Sequence, residues 1–141
     1  MATYNKFYCT VEDLAEKVHN LGADTLKVVL TNTVPVNTNT ILANITQIAN
    51  GNGYTTGGAT ATISSSAQTT GTYKLVLADV VWTASGGTIG PFRYAVLYND
   101  TPTSPADPLI GWWDYGSSVT LAIGESFTTD FDATTGVLTL A

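Results

Sequence analysis

Charge is scarce in this sequence. Only 11% of its 141 residues are Asp, Glu, Lys or Arg, less than half the share in an ordinary globular domain. The five cations, Lys6, Lys17, Lys27, Lys74 and Arg93, are scattered along the chain, and the net charge is -6. Nucleic acid needs a basic stripe for its phosphates, so this pattern excludes it as a partner. A lone Cys9 excludes an intrachain disulfide and a cysteine-based zinc site. No apolar run approaches the roughly 18 residues of a membrane span, so no membrane association is expected. The first twenty residues carry Lys6, Glu12, Asp13, Glu16 and Lys17 and no apolar core, so no cleavable signal is expected and synthesis in a cytoplasm follows.

What takes the place of charge is threonine, with 25 copies, together with Ser, Asn and Gly. Threonine favours strands, and an uncharged hydroxyl- and amide-rich surface suits hydrogen-bonded contact with other surfaces. At this length the chain is read as a single domain over 1–141 with a sizeable core. Residues 1–9 read as a loose arm. A helix is expected over 10–21: Val11, Leu14, Ala15 and Val18 recur at helical spacing, with Thr10 as N-cap and Gly22 as stop. Residues 25–141 read mostly as strands. Leu26 to Asn32 is one, and Thr40 to Asn50 is irregular with one helical turn. Ala59 to Gln68 is a mostly exposed strand, and Tyr73 to Leu77 is half-buried. Val80 to Trp82, Ile89 to Tyr98, Leu109 to Trp113, Val119 to Leu121 and Val137 to Leu140 follow, separated by turn residues. In Ile89 to Tyr98, alternation places Phe92, Tyr94, Val96 and Tyr98 on one face and Arg93, Ala95 and Leu97 on the other. The fold class expected is mainly β, a β-sandwich or jelly-roll-like domain with one short N-terminal helix.

No catalytic constellation stands out. His19 is the only histidine, and no nucleophile motif accompanies it, so it reads as a helix C-terminal residue facing the dipole. Cys9 has no cationic neighbourhood to activate it and reads as a small core or interface residue. Asp130 and Asp132 share one face near Glu125. Such carboxylates suit Ca²⁺ with backbone carbonyls, a solvated face, or the acidic side of a subunit contact. No EF-hand loop is present, and no metal or cofactor is assigned. Eleven acidic residues offer no selected pair for glycosidase chemistry. The chain is read as no enzyme.

The sharpest feature is Trp112-Trp113 followed by Tyr115. Neighbours on a strand point to opposite faces, so one tryptophan is expected inside and the other exposed or at an interface. An exposed indole serves as a protein anchor or a sugar platform; the alternative is a strand covered on both sides. Trp112, Trp113, Tyr115, Asp130 and Asp132 are therefore the candidate interface residues.

The run WTASGGTIGPFRYAVLYND, the later LIGWWDYGSSVTLAIGESFTTDF and GVLTLA, and the opening MATYNKF with VEDLAEKVHNLGADTLKVVLTN resemble small structural proteins of tailed bacteriophages. The resemblance spans nearly the whole chain and is most similar to capsid decoration, or cement, proteins. It implies a jelly-roll-like fold and a homotrimer that binds the major capsid protein lattice on the capsid exterior and stabilises the head, with no enzymatic activity. A tail, baseplate or head-fibre subunit is the structural alternative. A carbohydrate-binding module with an exposed tryptophan is the alternative of another class.

Overall fold

The computed structural model describes residues 2–141. In chain order it contains β1 (Tyr4–Lys6), α1 (Cys9–Ala15), β2 (Leu26–Thr31), a 3₁₀ turn (Leu42–Asn44), β3 (Ala59–Thr60), β4 (Ile63–Thr69), β5 (Thr72–Leu77), β6 (Val80–Thr83), β7 (Ile89–Asn99), β8 (Leu109–Leu121), β9 (Ser126–Thr129) and β10 (Leu138–Leu140). The strands form an antiparallel five-stranded sheet, β1-β8-β7-β2-β3, a three-stranded sheet, β10-β5-β4, and a two-stranded ribbon, β6-β9. The protein is mainly β, with a β-sandwich-like arrangement and a single short helix near its N-terminus.

The five-stranded sheet is organised by β7 and β8, the two longest strands. Its inner face contributes Val28, Leu30, Ala95, Leu97 and Ile110 to the main core, where they meet Leu75 and Leu77 of β5 and Val80 and Trp82 of β6. The opposite face is covered too. Val29, Val96, Tyr98 and Leu109 pack there with Phe7 and Ile45. A strand buried on both faces reads as a continuous apolar run, and this is why Leu26–Leu30 shows little alternation.

Several expectations are corrected. Of the arm expected over 1–9, Met1 lies outside the described residues, and Tyr4–Lys6 is an edge strand paired with β8, Tyr4 opposite Trp113 and Lys6 opposite Gly111. Gly111 makes this possible: a side chain there would collide with the Tyr4 ring. Phe7 is fully buried, so the segment is anchored at its C-terminal end.

The helix spans Cys9–Ala15 rather than 10–21. Its N-cap is Tyr8, without a side-chain cap bond. Thr10 lies inside the helix, and its Oγ1 donates to the Ile110 carbonyl at 2.7 Å and lies 3.2 Å from that of Leu109. The buried face is therefore polar, Thr10 and Asp13, while Val11 is 54% exposed. Lys17 adopts φ 67° and ends the helix well before Gly22. Thr10→Val keeps the shape and deletes the hydroxyl, so a loss of about 1–2 kcal/mol is expected in urea unfolding. An unchanged midpoint would show that the helix docks through apolar contacts alone.

Ala59 to Gln68 is not one strand. Ala59 pairs with Val28 in the five-stranded sheet, whereas β4 pairs with β5 in the three-stranded sheet. The chain changes layer at the buried Ala61. Conversely, Leu109 to Trp113 and Val119 to Leu121 are one strand, β8. Phe92 pairs with Val119 and Tyr94 with Asp114, so Arg93 alone faces Tyr115 to Ser118. This wide bulge breaks the alternation of β7. Phe92 joins Ala95 and Leu97 in the main core, whereas Val96 and Tyr98 belong to the outer cluster.

Candidate functional site: an aromatic cleft

The bulge that displaces Tyr115 from the regular sheet also opens a cleft of about 1050 Å³ between the inner face of the large sheet and β9 with the loop that follows it. One side carries Arg93, Trp113 and Tyr115; the other carries Phe127, Asp130 and Phe131. Rings build much of its wall. Trp113 sits between Tyr4 and Phe131, each with its ring centroid 5.4 Å away. Phe127 receives Phe92 and Tyr115 edge-on, at 4.8 and 5.5 Å. Edge-to-face pairs of this kind fix ring orientation as well as excluding water. Tyr115 is the ring left mainly in solvent, at 56% exposure.

The polar groups divide into engaged and free. Arg93 holds Asp114 through two parallel bonds, Nε to Oδ1 at 2.7 Å and Nη2 to Oδ2 at 2.9 Å. Asp114 also accepts the Gly116 N–H at 2.7 Å, which shapes the bulge. The Arg93 bonds push the Asp114 carboxyl below the usual carboxylate range and raise the Arg93 guanidinium in turn. That guanidinium lies 5.4 Å from the centroid of the Tyr94 ring. Asp79 accepts the Phe131 N–H at 2.9 Å. Asp132 accepts the Thr134 N–H at 2.7 Å and the Thr135 hydroxyl at 2.9 Å, and these bonds lower its carboxyl. Both are tied to backbone they order. Asp130 is exposed, and among the described residues no ion pair involves Asp79, Asp130 or Asp132.

No family model, no curated protein and no solved structure matches the chain.

Four of the five candidate residues, Trp113, Tyr115, Asp130 and Asp132, line this one cleft. Trp112 does not. It lies on the outer face, edge-on to Tyr94 at 5.8 Å, with Nε1 3.4 Å from the Asn37 side-chain oxygen. The two indoles do point to opposite faces, but the expected contrast between one inside and one exposed is absent: both are half-buried. Neither indole is a free platform. Sequence reasoning passed over Tyr4, Phe127 and the Arg93–Asp114 pair. The usable signal was charge: two opposite charges, each alone in an apolar strand, on neighbouring strands.

His19 is not a surface residue facing a helix dipole. It is buried, with Nδ1 3.1 Å from Asn99 Nδ2 and Nε2 3.9 Å from Asp13 Oδ2. Cys9 Sγ lies 3.6 Å from the carbonyls of Thr40 and Leu109. Burial, reinforced by Asp13, pushes its thiol up to about 11, so it stays protonated at neutral pH. Among the described residues no group of His, Cys, Asp and Glu could hold a metal ion, and no helix is long and apolar enough to cross a membrane.

A second surface lies at the other side of the large sheet. Tyr8, at the head of the helix, is 63% exposed, and Val34 and Val36 are 56% and 55% exposed, while Val11 turns toward β10 and lines a groove with Tyr4, Thr139 and Leu140. The Tyr8 N–H donates to the Asn37 carbonyl at 2.9 Å, which joins the helix to the 33–39 loop. Pro35 is buried, so the two valines beside it face outward. Thr33, Thr38 and Asn39 surround them without a charge.

Proposed function

We propose that the protein is a non-enzymatic structural subunit of a tailed-phage virion, a decoration protein that assembles as a homotrimer and binds the major capsid protein on the capsid exterior. The observation that carries the proposal is the outward group Tyr8, Val34 and Val36 beside an uncharged Thr/Asn rim. Apolar side chains grouped within a polar surround mark protein contact sites, since a monomer gains nothing by leaving them in water. The full-length resemblance to phage structural proteins supports the same reading. So does the division of the polar groups, whose carboxylates brace turns and bulges. Repetition on a lattice lets modest contacts of this kind act together.

Size-exclusion chromatography with light scattering is expected to give a trimer, and a particle reconstruction to place the subunit on the capsid. Val36→Asp, at an exposed loop position, is expected to fold as wild type yet lose assembly or particle attachment. A strict monomer at high concentration would remove the trimer. Density confined to the tail would replace the capsid assignment with the tail or baseplate one.

A further inference from the structure

We propose that the aromatic cleft receives an extended protein segment bearing arginine or lysine, one cationic side chain lying against Tyr115 and beside Asp130. The inference rests on the reading of the protein as a docking subunit and names the chemistry of its partner. Three observations converge on it. First, the cleft, at about 1050 Å³, has the volume for several residues of a peptide and offers an exposed ring in Tyr115 beside the half-buried Phe127. Second, its charge is unbalanced. Arg93 is neutralised by Asp114, leaving Asp79, Asp130 and Asp132 in the lining without a cation among the described residues. Lys74, which packs against the same 132–136 turn, gives its ammonium to the Thr134 carbonyl at 2.9 Å. An anionic ligand would be repelled, and a cationic one would gain ion pairs that the protein does not make for itself.

Third, the protein already makes an internal example of the interaction beside the cleft. The Arg93 guanidinium pairs with a carboxylate while lying over the Tyr94 ring. Carboxylate and aromatic face together suit a guanidinium better than either alone, because the planar cation is weakly hydrated and can stack while it donates. Tyr115 and Asp130, both in the lining, offer the same two kinds of partner to a cation from outside. A neutral sugar is disfavoured, because the two indoles that would stack on it are enclosed by other rings.

The test is an NMR titration of the full-length protein with an Arg-Gly repeat peptide, its Glu-Gly counterpart and a neutral malto-oligosaccharide. The Arg-Gly peptide is expected to shift the Trp113 indole and β9 resonances, with binding weakened by salt. Asp130→Lys is expected to reduce its affinity about tenfold, and Tyr115→Ser about fivefold. Glu12→Lys, the same charge change on α1, should leave affinity unchanged. Asp130 and Glu12 are exposed and make no ring contact, so thermal melts of those two variants should match wild type, whereas Tyr115→Ser also loses its edge contact with Phe127 and melts slightly lower while remaining folded. Absence of Arg-Gly binding, an equal loss in Glu12→Lys, or binding of the oligosaccharide instead would overturn the proposal. Because the titration uses isolated protein, its failure removes the cleft assignment and leaves the virion role to the particle reconstruction. Density away from the virion would remove that role and leave the measured cleft binding intact.

Discussion

Gly58→Ala is expected to destabilise the fold by about 2–5 kcal/mol and lower the thermal midpoint by roughly 10 °C. Two penalties add. Gly58 has φ +75°, a left-handed conformation that a Cβ disfavours by about 1–2 kcal/mol. The Cβ would also enter the van der Waals shell of the Val28 carbonyl oxygen and sit 2.9 Å from Val29 Cγ1. That clash adds about 1–3 kcal/mol, because the surroundings cannot move aside. The next residue, Ala59, is paired with Val28 in the sheet. The preceding one, Gly57, is held on both sides: its N–H donates to Gln47 Oε1 at 2.8 Å, and its carbonyl accepts the Tyr98 hydroxyl at 2.7 Å. Gly71→Ala is the control. Its φ is +86°, but a Cβ there meets nothing within 4 Å. Only the backbone term applies, and the expected loss is about 1–2 kcal/mol. Equal urea midpoints for the two variants would show that the close approach to β2 contributes nothing.

Gly58 also illustrates what local pattern conveys and what it leaves out. The Gly57-Gly58 pair reads as a break, and a break is found. That the break lies flat against a strand of the central sheet is a long-range fact with no local signature. The same division runs through the fold. Leu26–Thr31, Thr72–Leu77 and Ile89–Asn99 were legible because each is long enough for its apolar residues to dominate. Tyr4–Lys6 was not: three residues carry no period, and the strand depends on the missing side chain of Gly111 a hundred positions away. The buried face of α1 was misread because Thr10 faces inward to serve two carbonyls of β8. In β8, Asp114 to Ser118 looks like a loop by composition, and only the register with Arg93 shows that it is a bulge within one strand. For the cleft, residue types singled out Trp113, Tyr115, Asp130 and Asp132. Bringing them together needed β9 to fold back beside β8, which no spacing reveals.

The second large effect is expected at Asn99, where the buried polar groups of the fold converge. Asn99 is completely buried near the end of β7. Its Nδ2 lies 2.6 Å from Asp24 Oδ2 and 3.1 Å from His19 Nδ1, and its Oδ1 accepts the Thr101 N–H at 3.1 Å. Asn99→Ala deletes all three contacts, leaving an imidazole and a backbone donor unpaired and taking one of its bonds from Asp24, which keeps the Asn20 N–H. A loss of roughly 2–4 kcal/mol is expected, most of it from the charged partner and the unpaired groups left behind. The cluster also sets a pH dependence. Burial lowers the His19 pKa below its ordinary value near 6.5, against the opposing pull of Asp13 on α1 and Asp24 on the following loop. Its Nδ1 faces the Asn99 amide N–H, so the neutral ring accepts there, whereas the cation would set two donors against each other. With the folded value below the unfolded one, the unfolded chain binds more protons through this interval. Stability is therefore full above about pH 6.5 and falls as the pH drops from there through the lowered folded value. Asp114 and Asp132, whose carboxyls are lowered by their hydrogen bonds, contribute only below the ordinary carboxylate range near pH 4, so the two windows separate. His19→Gln retains an acceptor for Asn99 and cannot titrate. Thermal midpoints of wild type are expected to fall between pH 7 and about pH 5, while those of the variant stay level over that interval and fall only at lower pH. Parallel curves would mean that His19 is not the group that titrates.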